Sequence, residues 1–404
     1  MNCLVIGGIS STRSNRLCRA FSSWGLLLLL LAFVPPISHA QKKPAKPAGA
    51  EPRPEPAVSA IVAAFDKYEV VGMPEAHGMK DLDDFILSLI SNPSFPEKVN
   101  DIEVECGNSL YQSVLDRYIA GEDVPFGEVQ KVWRNTTQSM CGTSGFFEQF
   151  FPLVRAINQK LPVGKRLRVL AGDPPIDWDQ VKTTQDYLKF LADRDVTTAS
   201  VMEKEVLSKH RKALMLFGTF HLFHGVRNAV STYEKNYPNV TFIITDVGHF
   251  SAVSAASSEN PFIGWQPPSL AKIKNTWIGD LGLDRFFPPP VMIDQNCNAT
   301  SEFPKLLQKP IGELVDAILY LGPGDLRLKE QMPADIALDT DYMTELQRRE
   351  SFAGFPGATT RTLEESNRQI VKSASNPLLA TPPPPDLKRD AKNCLDRKNS
   401  NTAH

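Results

Sequence analysis

Ala213-Leu214-Met215-Leu216-Phe217-Gly218-Thr219-Phe220-His221-Leu222-Phe223-His224 is five apolar residues running into a glycine and then into two histidines. A short apolar run closed by glycine reads as a strand buried on both faces, from Ala213 to Gly218. The same grammar recurs outward from it. Further strand patterns lie at Tyr68 to Gly72, Val99 to Glu105, Arg166 to Ala171, Val240 to Asp246 and Ala317 to Leu321. Between them stand amphipathic helical patterns at Met79 to Ser91, Ser109 to Ala120, Gly145 to Lys160, Thr183 to Ala192, Val196 to His210 and Phe223 to Tyr237. Strand, helix, strand in that order predicts right-handed crossovers and a mainly parallel β-sheet with helices on both faces, an α/β fold. The stretch from about Ser251 to Pro310, rich in Pro, Asn and Ser, is expected as an irregular excursion over the ligand-binding edge of the sheet, and Asp341 to Phe352 as a last helix. No internal repeat of fixed period is present.

A hydrophobic fraction of 42% is enough for a sizeable core. With 44 Lys plus Arg against 46 Asp plus Glu, the formal charge of -2 leaves no basic field to hold nucleic acid by its phosphates. Arg13, Arg16 and Arg19, then the apolar run Leu26 to Val34, then Ser38-His39-Ala40, have the form of a cleavable export signal over residues 1–40. That run is well short of the roughly 18 apolar residues that span a bilayer. The expected product is secreted or periplasmic, with no stable membrane insertion. A Pro/Lys/Ala-rich linker is expected over residues 41–57, a single α/β domain over 58–355 and a flexible Pro-rich tail over 356–404. After export, Cys106, Cys141, Cys297 and Cys394 meet an oxidising compartment. None has Cys-x-x-Cys spacing. Of the three possible pairings, Cys106 with Cys141 and Cys297 with Cys394 is preferred, free buried thiols being the alternative.

Ligands of open parallel sheets bind beyond the carboxyl ends of the strands, and the residues there are unusually polar. Glu75 and His77 follow the first strand, Glu103 and Glu105 end the second, and Gly172-Asp173 ends the third. His221 and His224 follow the fourth, and Asp246 and His249 close the fifth. Four of the chain's seven histidines thus sit at strand exits. Each has a plainer use: Glu75 and Asp173 precede helices and suit caps, His221 and His224 share a helix face, and Glu103 and Glu105 point to one side of a strand, where one of the two is expected to be solvated.

The order of these motifs resembles the superfamily that joins erythromycin esterases, ChaN-like haem-uptake proteins and Tiki/TraB-type proteins. The matching positions are Glu75 with His77, Glu105 in Val-Glu-Cys-Gly, Gly172 with Asp173, Arg194-Asp195 opening a helix, and Gly218-Thr219-Phe220-His221, over roughly residues 60–250. Gly72 stands three residues before Glu75, where the family sets Gly and Glu side by side, and the Arg-Asp pair lacks the Met that usually follows it. For the esterase branch the resemblance implies that His77 activates water, that Glu75, Glu105 and Asp173 orient it, and that His221 and Arg194 stabilise the oxyanion. Neutral imidazole beside a carboxylate is a competent base near neutral pH. A metal-assisted version would use His77, Glu105, His221 and His224 or His249 as ligands for zinc, manganese or iron. The ChaN-like branch implies instead a binding protein for haem or another iron compound, with Phe220, Phe223 and Tyr111 near a planar ligand. On either branch the partner is a small molecule. Glu105, at the exit of the next strand in sequence, is expected to be presented to the same cleft as His77 by a parallel neighbour.

Overall fold

The computed structural model describes residues 49–75, 78–247, 261–287, 291–293, 299–301, 304–323, 328, 330, 332–353 and 392. In chain order its strands are β1 Glu55–Pro56, β2 Val70–Pro74, β3 Asp101–Asn108, β4 Arg168–Asp173, β5 Ala213–Phe217, β6 Thr241–Asp246, β7 Ser269–Lys272, β8 Val291–Ile293, β9 Ala299–Ser301 and β10 Ala317–Tyr320. Eight form one sheet in the order β1-β7-β10-β6-β2-β5-β3-β4, and β8 pairs with β9 apart from it. From β10 to β4 every pairing is parallel, and β7 and β1 close the other edge in antiparallel pairings. The fold is α/β, and its six parallel strands are the six apolar runs.

Burial explains why most of those runs are largely apolar. Every residue of β2, β3, β5 and β6 is buried, because helices cover both faces of the sheet. Val71, Met73, Val104 and Leu216 share one core with helices Lys80–Ser91, Gln112–Ala120 and Gly145–Lys160. Val70, Met215, Phe217 and Ile243 face the other way, onto Ala199, Leu222, Val230 and Tyr233. Beyond the end of β4 a small third cluster gathers Ile176, Trp178, Val181 and Tyr187, with Phe352 of helix Thr340–Ala353 against it.

Several expectations change on folding. The pattern from Val196 to His210 starts earlier, as helix Arg194–Val201, and passes through a π turn at Met202–Val206 to a left-handed end at His210, φ 52°. The helix expected from Phe223 to Tyr237 is interrupted: Gly225 takes φ +63°, a left-handed value that glycine adopts freely, and Asn228 then caps a short helix, Ala229–Tyr233. Within the expected excursion Ser269–Lys272 is a strand, its register set by β10 rather than by any apolar run of its own. The expected linker gives way to structure by Ala50, which bridges Thr276, and Glu55–Pro56 pairs with β7 at the sheet edge, where proline is tolerated.

Cys106 and Cys141 form a disulfide with Cα atoms 5.4 Å apart. The export segment over residues 1–40, the Cys297–Cys394 pairing and all but residue 392 of the expected tail lie outside the described residues. Among the described residues no helix is long and apolar enough to cross a membrane.

Candidate functional site

Glu105 lies near the carboxyl end of β3, and the strands beside β3 are β5 and β4. The carboxyl-end residues of those two neighbours, Gly218 to His221 after β5 and Gly172-Asp173 in β4, therefore arrive next to it. Gln138 Nε2 and Arg194 Nη2 donate to Glu105 Oε1, and the Gly218 N–H donates to Oε2. A Cβ at Gly218 would stand 3.2 Å from Oε2, so a side chain there would press the carboxylate back by a few tenths of an ångström.

Arg194 also reaches Asp173, Nε to Oδ1 at 3.5 Å. Asp173 accepts the Thr137 N–H at 2.6 Å and the Thr137 hydroxyl at 2.7 Å. One guanidinium thus serves two buried carboxyls. Burial, reinforced by the charge of Glu105, pushes the Asp173 carboxyl up to about 7 against the pull of Arg194 and Thr137. Burial works against the charge of Arg194, yet Glu105 and Asp173 hold its pKa above the usual value.

Asp195, the next residue, turns to His221: its Oδ1 accepts from Nδ1–H at 2.6 Å, which leaves Nε2 facing Glu105 Oε1 at 3.5 Å. The Arg-Asp pair that opens helix Arg194–Val201 therefore splits its two side chains between the acids and the histidine. Glu105 and Asp173 are sealed, whereas the His221 and Asp195 side chains are 24% and 35% exposed.

The other expected site residues fall elsewhere. His77 and His249 lie outside the described residues. Glu75 is buried at the end of β2, its N–H bonded to Phe217 O. Burial first, then the charges of Glu330 and Glu75, push Asp83 up to about 9. β3 does not neighbour β2, because β5 lies between them, so the group next to Glu105 is His221. His224 stands away from this set: Nε2 meets Asp316 at 2.9 Å and Nδ1 meets Glu234 at 3.5 Å. Neither Glu103 nor Glu105 is solvated; burial raises Glu103 well above the usual carboxyl value, and neither of its oxygens has a hydrogen-bond partner among the described residues. Among those residues no group of three His, Cys, Asp or Glu side chains is placed to hold a metal ion.

Thr137 and Gln138 escaped the sequence reading. Their signal was indirect: Cys141, three residues after Gln138, is bridged to Cys106, the neighbour of Glu105, which draws that loop onto the site.

No protein-family model matches the chain, and no curated protein matches it. Similar solved structures include a Bacillus cereus protein, 11% identical with TM-score 0.42, the match covering 68% of this chain and 95% of that one. A mutant erythromycin esterase in its open conformation is 12% identical with TM-score 0.41, covering 67% of this chain and 94% of that one. ChaN of Campylobacter jejuni, described with cofacial haem, is 11% identical with TM-score 0.29, covering 46% and 85%. These likenesses are too distant to carry anything about the site.

Proposed function

We propose that this protein is a hydrolase that cleaves a small-molecule ester with water, at the carboxyl ends of β5, β3 and β4. One observation carries the reading: His221, held through Nδ1 by Asp195 and facing Glu105 with Nε2, is a part-exposed member of a cluster in which Arg194 joins two sealed carboxyls. Buried ionisable groups cost desolvation energy that a purely apolar packing avoids, and clefts with a strongly shifted carboxyl such as Asp173 are where function concentrates.

In this assignment His77, two residues after Glu75 in sequence, takes the proton of the attacking water. The water oxygen bonds to the ester carbon, and the carbonyl oxygen develops charge against Arg194 and His221. Collapse of the adduct returns the proton to the leaving alcohol. Glu105 and Asp173 hold Arg194 in place, and Asp195 holds the His221 ring. The sequence has no Gly-x-Ser-x-Gly elbow, which favours water over a serine nucleophile. A haem iron takes one ring nitrogen of a histidine while a hydrogen bond holds the other; both ring nitrogens of His224 face carboxylates, Asp316 and Glu234, so that residue does not fit the role.

The test is a panel of carboxylic esters. His221→Ala and His77→Ala should each lower turnover by about 100-fold or more with an unchanged melting temperature. The double variant should be little worse than either, since the residues act as one unit. His210→Asn, which tolerates the left-handed backbone, should be silent. Failure of every ester, or full turnover by His221→Ala, overturns the reading. Export belongs to the same proposal: the mature chain should begin at Gln41, and recovery of Met1 from exported material would refute it.

A further inference from the structure

A cavity of ≈390 Å³ opens beside the cluster. Its wall toward the site is Thr137, Gln138 and Arg194, the residues that hold Asp173 and Glu105. Its volume falls within the range of roughly 300–1,000 Å³ common for small-molecule sites.

The rest of the lining is mixed: Met140, Trp178, Tyr187, Leu191 and Leu346 supply its apolar part. The Trp178 and Tyr187 rings stack with centroids 5.8 Å apart at 22°. Met140 and Leu191 stand at the mouth, 48% and 37% exposed, and Leu346 lines the wall. Large apolar side chains left in water at a cavity mouth favour an apolar ligand that would bury them. The cations in the lining are already neutralised. Arg134 pairs with Glu148, Arg349 with Glu345, and Arg194 with Glu105 and Asp173. A carboxylate or phosphate would have to break one of these pairs and would also meet the Glu350 carboxylate, whereas an uncharged group would do neither.

We propose that this cavity takes the planar aromatic portion of an uncharged carboxylic ester, set among Met140, Leu191 and the Trp178 and Tyr187 rings with its carbonyl toward Arg194. The proposal rests on the hydrolase reading for the identity of the bond that is cut, but the pocket itself is testable without it. Arg194 is the hinge between the two, since it lines the cavity and the catalytic cluster alike.

The probe is methyl 2-naphthyl ketone, which has the ring and the carbonyl but no bond to hydrolyse. Calorimetry on the full chain should show saturable binding, weakened at least tenfold in Leu191→Trp, which fills the mouth from a part-exposed position; an unchanged melting temperature shows that the variant folds. In parallel, wild-type protein is assayed on methyl acetate and 2-naphthyl acetate. Ketone binding that is absent, or equal in wild type and Leu191→Trp, overturns the pocket. So does a straight-chain ketone of equal carbon number that binds as tightly. If the ketone binds as expected but neither ester turns over, the pocket stands and the hydrolase reading falls. If methyl acetate turns over while the ketone does not bind, the reverse holds.

Discussion

The Cys106–Cys141 bridge joins positions 35 apart and lies within two residues of both Glu105 and Ser139. Chain-entropy arithmetic for a closed loop of that length gives about 4 kcal/mol of stabilisation at 25 °C. The perturbation is Cys106→Ala, Cys141→Ala and the pair. Both cysteines are fully buried, so each alanine also leaves a small cavity, worth about 1 kcal/mol. Either single variant breaks the bridge, so the second substitution adds only its cavity. The double-mutant cycle should therefore return a coupling energy of about 4 kcal/mol. Urea unfolding, followed in parallel by circular dichroism and tryptophan fluorescence, measures it. The site should suffer too: without the bridge, Thr137 and Gln138 are held to Asp173 and Glu105 by their own hydrogen bonds. Turnover should then fall at temperatures where the variants remain fully folded. A coupling energy below about 1 kcal/mol, or full activity in the unbridged chain, would refute the reasoning.

Arg194→Met leaves Glu105 and Asp173 enclosed without their cation and should cost about 3–5 kcal/mol, and adding Glu105→Gln should recover part of that loss. A single variant as stable as wild type by urea unfolding would contradict the shared-guanidinium geometry. Burial works against the charged His224 ring, but Asp316 and Glu234 outweigh it and lift its pKa from 6.5 to about 9. The folded value is the higher one, so this contribution to stability is whole below pH 6.5 and disappears as pH rises through about 9. Melting temperatures across that window should fall less steeply in His224→Gln than in wild type, and parallel curves would sink the assignment.

Much of the fold was legible because its signals are local. A strand buried on both faces is mostly apolar, so Val70–Pro74, Ala213–Phe217 and Thr241–Asp246 announce themselves within a residue or two. Helix Gly145–Lys160 declares itself in the same way, by the phenylalanines that it buries. β1 and β7 did not, because a short edge strand is specified by the strand that it pairs with rather than by its own composition. The residues that could carry chemistry were also visible, since acids and histidines just after apolar runs stand out against the composition around them.

Which of those residues meet was settled by strand order, and strand order is a property of long-range pairing. Sequence places β3 after β2, but the sheet inserts β5 between them, so Glu105 meets His221 and Arg194. Two histidines three residues apart were equivalent on paper. The short helix Thr219–Leu222 ends before the second, so His224 meets Asp316 and Glu234 while His221 stays with Asp195. The residue types were thus determined by sequence alone. Their partners, burial and the shifted proton affinity of Asp173 came from packing, because desolvation and charge proximity depend on distances between segments far apart in the chain.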